Sequence, residues 1–257
     1  KKNKSARIRN FIMETTIDKQ EISQFNIPNQ DWWDENGSFS SLHKITPCRI
    51  EYIIQVIRKN IIKQNKYKNH KICNNLKILD IGCGGGILCE PLAKLGGKVT
   101  GIDASINAIK IANNHAKIKG LKIDYECKSI ENFAPKSDFD LVIASEVIEH
   151  VANRKIFFEN IKKICKSETS IVFTTLNKSL PGIVFGKFAA EYILKLVPKD
   201  THDWRKFITP KELYNEARES GIILNNFTGI VPDFLNNEFK LSSFLGINYA
   251  ASGIILK

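Results

Sequence analysis

Residues Leu79-Asp80-Ile81-Gly82-Cys83-Gly84-Gly85-Gly86 run a short hydrophobic strand directly into a glycine cluster, and an amphipathic segment follows at once. Glycines at such a turn let the backbone approach a ligand without an obstructing Cβ, tolerate positive φ, and leave the first helical N–H groups free for a polar or negative group. Asp80, at the strand end, is placed to hydrogen-bond the loop or a ligand's amino group. Asp103 ends the next β-branched run, 21 residues after Gly82, where a carboxylate accepts hydrogen bonds from ribose hydroxyls. The pair specifies a nucleoside-bearing cofactor. NAD is disfavoured, because the third glycine of G-x-G-x-x-G is replaced by Ile87 counting from Gly82 and by Cys89 counting from Gly84.

Outward from this loop, short β-branched runs alternate with longer amphipathic ones, the pattern of β-α units wound into a parallel sheet. The spacing predicts strands at Lys77–Ile81, Lys98–Ile102, Ile123–Cys127, Asp140–Ala144 and Ser170–Thr174, with helices at Leu88–Leu95, Ile106–Lys119 and Arg154–Lys166. Two closing strands are expected near Leu224–Val231 and Ile247–Leu256, giving a seven-stranded, mostly parallel sheet with helices on both faces. Before the sheet, Ile53, Ile54, Ile57 and Ile61 at helical spacing predict an N-terminal helix over Glu51–Lys63. After Thr175 the rhythm breaks. Leu180–Pro198 reads as an inserted amphipathic helix with Lys187, Glu191 and Lys195 along one stripe, and Thr209-Pro210 then caps and starts the next helix.

The bulk composition narrows the class. With 257 residues, 43% hydrophobic and 25% charged, the chain is an ordinary globular protein able to bury a sizeable core. Its formal charge of +11 favours polyanionic surfaces, although Lys1, Lys2, Lys4, Arg7 and Arg9 carry five of those charges and leave +6 on the rest. Residues 1–12 lack the apolar core of a secretory signal. The six cysteines form no C-x-x-C pair, which argues against a zinc site and for buried thiols in a reducing cytosol.

After the fourth strand comes Ser145-Glu146-Val147-Ile148-Glu149-His150, at the carboxyl edge where doubly wound sheets bind ligands. If this segment is helical, Glu146, Glu149 and His150 stand at i, i+3 and i+4 on one face. Two carboxylates and a histidine suit a hard divalent ion such as Mg²⁺, with Mn²⁺ or Zn²⁺ as alternatives. Without a metal, His150 is a candidate general base. The competing account is a solvated first turn, with Glu favourable against the helix dipole.

Asp80-x-Gly82-x-Gly84-x-Gly86 resembles the first motif of Rossmann-like methyltransferases. A more specific likeness rests on Trp32-Trp33-Asp34, Gly37-Ser38-Phe39, Leu42-His43-Lys44-Ile45-Thr46-Pro47-Cys48-Arg49, Glu146-x-x-Glu149-His150, Thr175-Leu176-Asn177, Ala190-Glu191-Tyr192-Ile193-Leu194 and Val197-Pro198-Lys199-x-Thr201-His202-Asp203. These strings resemble the O-methyltransferases of ubiquinone biosynthesis, and the likeness spans Phe25 to Lys257. Thr46, where that family more often has Asn, and Ser145, where it often has a larger apolar residue, depart from it.

The resemblance implies S-adenosylmethionine as cofactor, held by Arg49, Gly82, Asp103 and Ser145, with Arg49 on its carboxylate, and Asp80, Gly84 and Gly86 completing the loop. It also implies that Glu146, Glu149 and His150 hold Mg²⁺, with Glu149 and His150 catalytic. The implied substrate is a polyprenylated catechol or demethylubiquinol. Residues 1–24 are expected as a poorly ordered extension and 25–257 as one methyltransferase domain, with an insert at about 178–206 meeting an anionic membrane surface through residues 180–198. The expected location is cytoplasmic and peripheral to the inner membrane, with other ubiquinone-biosynthesis enzymes as further partners. No nucleic acid partner is expected, since no Pro-Pro-Tyr or Pro-Pro-Phe follows the fourth strand. A non-catalytic cofactor-binding subunit is the rival from another class. His43 and His202 read as structural, and the tryptophan pair as an apolar lid.

Overall fold

The computed structural model describes residues 15–17, 32–62, 71–182, 184 and 204–257. Its centre is one sheet of eight strands in the order β3-β2-β1-β4-β5-β8-β6-β7. These are β1 Lys77–Ile81, β2 Lys98–Asp103, β3 Asp124–Cys127, β4 Leu141–Ser145, β5 Ser170–Leu176, β6 Ile222–Asp233, β7 Glu238–Ser242 and β8 Asn248–Ile255. Strands β1 to β5 are joined by parallel pairings, whereas β8 is antiparallel to β5 and to β6. The α/β, mostly parallel expectation holds for the first five strands. The count rises from seven to eight because β7 folds back on β6 as a hairpin, pairing Gly229 with Ser242 and Asp233 with Glu238.

Successive side chains of the central strands enter opposite faces, so each strand supplies both layers. Leu79, Ile81, Val142, Ala144, Ile171 and Phe173 join one core, with Phe157, Phe158 and Ile161 of α4 (Arg154–Ile164) and Leu213 and Ala217 of α5 (Pro210–Glu219). Ile78, Leu141, Ile143 and Val172 join the other. There they meet Tyr52, Ile53 and Val56 of α1 (Ser40–Val56), Leu92 of α2 (Cys89–Lys94) and Ile109 of α3 (Ile106–Ile118). Helices therefore cover both faces, as the two-sided burial of β1 and β4 requires. Thr209 and Glu212 form a reciprocal capping box behind Pro210, so α5 begins where the sequence places it.

Helix α1 starts 11 residues before the expected Glu51 and ends in a π-helical turn at Ile57–Ile61. Its buried stripe includes Thr46, Cys48 and Arg49, which do not read as apolar, and Pro47 lies inside it. Pro47 has no N–H for the preceding turn, and the Thr46 hydroxyl donates to the Leu42 carbonyl (2.6 Å) beside that gap. The insert expected at residues 180–198 lies almost wholly outside the described residues, as does His202. Among the described residues, no helix is long and apolar enough to cross a membrane.

Phe158 is fully buried, with ring centroids 5.8 Å from Phe157 and 5.7 Å from Phe173 in edge-on geometry. Replacing it by Ala should lower the unfolding free energy by about 3–5 kcal/mol, measured by urea denaturation. A loss below about 1 kcal/mol would contradict the packing described.

Candidate active site

The glycine loop leaves β1 with Gly82, Gly84 and Gly86 all at positive φ, +71°, +52° and +87°. The Gly82 and Cys83 amides both donate to the Ile102 carbonyl (2.8 and 3.0 Å), tying the loop to β2. Gly84 donates its N–H to Asp103 Oδ2 (2.9 Å), and Ser105 donates to Asp103 Oδ1 (2.7 Å). Asp103 thus braces the loop with one lone pair on each oxygen and keeps the other pair of each for a ligand, as a carboxylate's four acceptor positions permit. A Cβ on Gly84 would drive into the Trp32 ring, and one on Gly82 into Val147. Glycine is thus required where Trp32 and Val147, which also line the cavity, press on the loop.

That cavity, about 360 Å³, is lined by Asp80, Gly82, Gly84, Asp103, Ser145, Glu146, Glu149, His150 and Arg49 among others. Its size falls in the range of small-molecule sites. The expected cofactor residues therefore converge on one space, apart from Gly86, which turns its α-carbon toward the Tyr125 hydroxyl behind the loop. Asp80 is buried beneath the loop and accepts from the Cys89 thiol (3.2 Å). Burial pushes its carboxyl up to about 7, with the Asp103 charge adding to the shift and the Cys89 bond and Arg49 opposing it. Asp103 is raised as well, by burial, against the pull of its two backbone donors. The Ser145 hydroxyl shares a hydrogen bond with Thr174 (2.8 Å).

The helical face expected for Glu146, Glu149 and His150 does not form. Glu146 adopts φ +55°, and only Ile148–His150 form a short 3₁₀ turn after it. Glu146 Oε1 instead receives the Arg49 guanidinium at 2.7 Å, the Asn248 amide at 3.0 Å and the Thr174 hydroxyl at 3.3 Å. Burial would raise its carboxyl, yet Arg49 and then Asn248 outweigh that and hold it below its usual value. Glu149 is buried and accepts from the Thr175 hydroxyl (2.9 Å). Burial, then the Glu146 charge, push it up to about 8. Among the described residues no group of three His, Cys, Asp or Glu side chains is arranged to hold a metal ion. The three side chains are therefore not gathered as a ligand set, and the Arg49 guanidinium sits on one oxygen of Glu146.

Above the loop, the Trp32 ring stacks on Phe39 at 4.0 Å. Trp33 donates Nε1–H to the Gly85 carbonyl (3.1 Å) and stacks on His115 at 3.5 Å. His43 bonds the Trp32 carbonyl (2.8 Å), the structural role expected of it. Four wall residues went unread in the sequence. Thr16 and Ile17, inside the stretch expected to be poorly ordered, line the cavity, with Thr16 N–H on Glu131 (3.0 Å) and Ile17 bridged to Val151. Phe239 and Asn248 come from β7 and β8. Only the β-branched pair Thr16-Ile17 carries a local signal, as strand-forming residues.

Asp80 gives the site a pH signature. Its folded value lies above its unfolded one, so its contribution to stability is full below about pH 4 and is lost as pH rises toward 7. In ligand-free protein, the gain in Tm from Asp80→Asn should be larger at pH 8 than at pH 5 by calorimetry. A pH-independent difference would show that Asp80 does not titrate in this range.

The comparisons with known proteins agree with this geometry. A family profile described as a methyltransferase domain matches residues 49–223. A ubiquinone biosynthesis O-methyltransferase of Pelagibacter ubique is 41% identical over 235 residues, covering 91% of this chain and 96% of that protein. One from Rickettsia akari is 39% identical, covering 91% and 90%. Among solved structures, the N-methyltransferase NodS of Bradyrhizobium japonicum with bound S-adenosylhomocysteine has a TM-score of 0.57 at 15% identity over 93% of this chain and 98% of that one. A methyltransferase from Aquifex aeolicus scores 0.56 at 17% identity, over 93% and 100%. This chain belongs to the ubiquinone biosynthesis O-methyltransferases, a family of S-adenosylmethionine-dependent enzymes.

Proposed function

We propose that the enzyme methylates a phenolic hydroxyl of a polyprenylated catechol-type precursor of ubiquinone, with Glu149 taking up the hydroxyl proton. The observation that carries this reading is one cavity with two ends. The glycine loop, Asp103 and Arg49 form a nucleoside end, while buried Glu149 and half-buried His150 share the lining with Ile17, Val151, Phe157, Leu176 and Phe239. S-adenosylmethionine, when bound, supplies an electrophilic methyl group on a sulfonium.

The chain's contribution is orientation and proton handling. The loop amides and Asp103 fix the adenosyl end, and Arg49 is the buried cation suited to a carboxylate. A phenol ionises near pH 10, far above an ordinary carboxyl. Glu149, lifted to about 8, comes closer to that value than a solvated glutamate and is a better matched base. The Thr175 hydroxyl fixes one of its oxygens. His150, at the end of the same turn, is the second candidate for the proton. Glu146, Glu149 and His150 are the side chains that would hold a divalent ion, whose charge would favour the phenolate.

The apolar walls suit a substrate with a prenyl tail, which resides in membranes. Peripheral docking at the cytoplasmic face of the inner membrane through residues 180–198 remains part of this reading, supported by the sequence stripe and the charge of +11. Other ubiquinone-biosynthesis enzymes are the expected neighbours there.

Labelled S-adenosylmethionine and a short-tailed catechol should give a methylated product with the parent enzyme. Glu149→Gln should reduce turnover by on the order of 10²–10⁴-fold at unchanged S-adenosylhomocysteine affinity. The parent rate should rise with pH through about 8, since the base must lose its proton, and the variant should lose that limb. Unchanged turnover in Glu149→Gln would remove Glu149 from the mechanism.

A further inference from the structure

Asn248 opens β8 with its side chain in the cavity wall, 3% exposed, and its two ends are unequally served. The amide nitrogen donates to Glu146 Oε1 at 3.0 Å. The amide oxygen is buried and has no hydrogen-bond partner. A flipped amide would not relieve this, because it would set that oxygen against a carboxylate already paired with Arg49. The Arg49–Glu146 pair therefore dictates the orientation and leaves a fixed acceptor in the wall. Such a group is costly to bury unpaired, so its presence calls for a donor that arrives later.

Two donors can reach a methyltransferase pocket: a substrate hydroxyl or the cofactor's ammonium. Topology favours the first. Asn248 sits on β8, beyond β4 and β5 from the loop strands β1 and β2, and meets the cofactor side only through the Glu146 oxygen it shares with Arg49. Its register partner on β5 is Leu176, which lines the same cavity, as does Phe239. A buried acceptor that its own neighbours leave unpaired is the arrangement by which a pocket selects a ligand carrying a hydroxyl at one position.

Resting on the catechol reading above, we infer that Asn248 is a specificity-determining residue whose amide oxygen accepts the second hydroxyl of the catechol, the one that is not methylated. Glu146 and Arg49 are then positioning residues that aim this acceptor. The arrangement assigns a task to a strand outside the glycine-loop half of the sheet.

The test is equilibrium binding by calorimetry to the full chain loaded with S-adenosylhomocysteine, using a short-tailed catechol and its counterpart with a single hydroxyl. The parent should bind the catechol about tenfold or more tightly than the monophenol. Asn248→Ala should erase that preference by weakening the catechol alone, with S-adenosylhomocysteine affinity unchanged. A parent without the preference overturns the assignment, and this holds even if the variant does not fold. So does a folded variant that keeps the preference, or one that loses cofactor affinity instead, which would give the acceptor to the ammonium. Catechol methylation by the parent, measured separately, tells these outcomes from a failure of the reaction itself. If methylation occurs and the preference does not, only the role of Asn248 is lost.

Discussion

The Asp103 carboxylate holds the backbone of two segments at once. By accepting from Gly84 it fixes the glycine loop against the end of β2, and by accepting from Ser105 it fixes the turn whose hydroxyl caps α3 at Ala108. Its other ties run from Gly82 and Cys83 to the Ile102 carbonyl and from the Trp33 indole to the Gly85 carbonyl, so Asp103 is the carboxylate that braces the loop. Each later feature inherits its position from this one: the Trp32 ring packed on Gly84, the Asp80 carboxyl sealed beneath, and the open lone pairs facing the cavity. A charged acceptor is required because only an ionised carboxylate offers a strong bond to each amide and retains capacity for a ligand.

The pocket's electrostatics follow from burying several acids near one guanidinium. Arg49 lies against Glu146 and its charge also reaches Asp80. Glu146 consequently stays ionised, and its negative charge lifts Glu149. Neighbouring carboxyls in one cavity are thus driven apart in proton affinity, which suits one to a fixed anion and the other to the proton acceptor of the proposed reaction. The ion pair is half-hidden chemistry: it organises Asn248 and Thr174 around a single oxygen and leaves Thr175 for Glu149.

Much of this was legible in the chain. The strand-glycine string, Asp103 and the β-α alternation specify a doubly wound sheet because they depend on local order, and β1, β4 and β5 lie within a residue or two of their expected bounds. Strand β7 escaped because Glu238–Ser242 is short, with only Phe239 and Leu241 alternating on the face that packs against the core. The start of α1 escaped because Arg49 and Thr46 stand where apolar residues were sought. The helical face drawn for the acidic triad failed for a different reason. Three side chains at helical spacing share a face only if the backbone is helical, and Glu146 at positive φ breaks that condition. Its partners Arg49 and Asn248 lie about a hundred residues away on either side, so no local motif announces them.

The central claim is that Asp103 serves both the loop and the nucleoside. The dissociation constant of S-adenosylhomocysteine for the parent and for Asp103→Ala, measured calorimetrically on protein whose circular dichroism is unchanged, addresses it most directly. Affinity should fall by at least about tenfold, through lost acceptors and a loosened loop. Equal affinity in the two proteins would contradict the account.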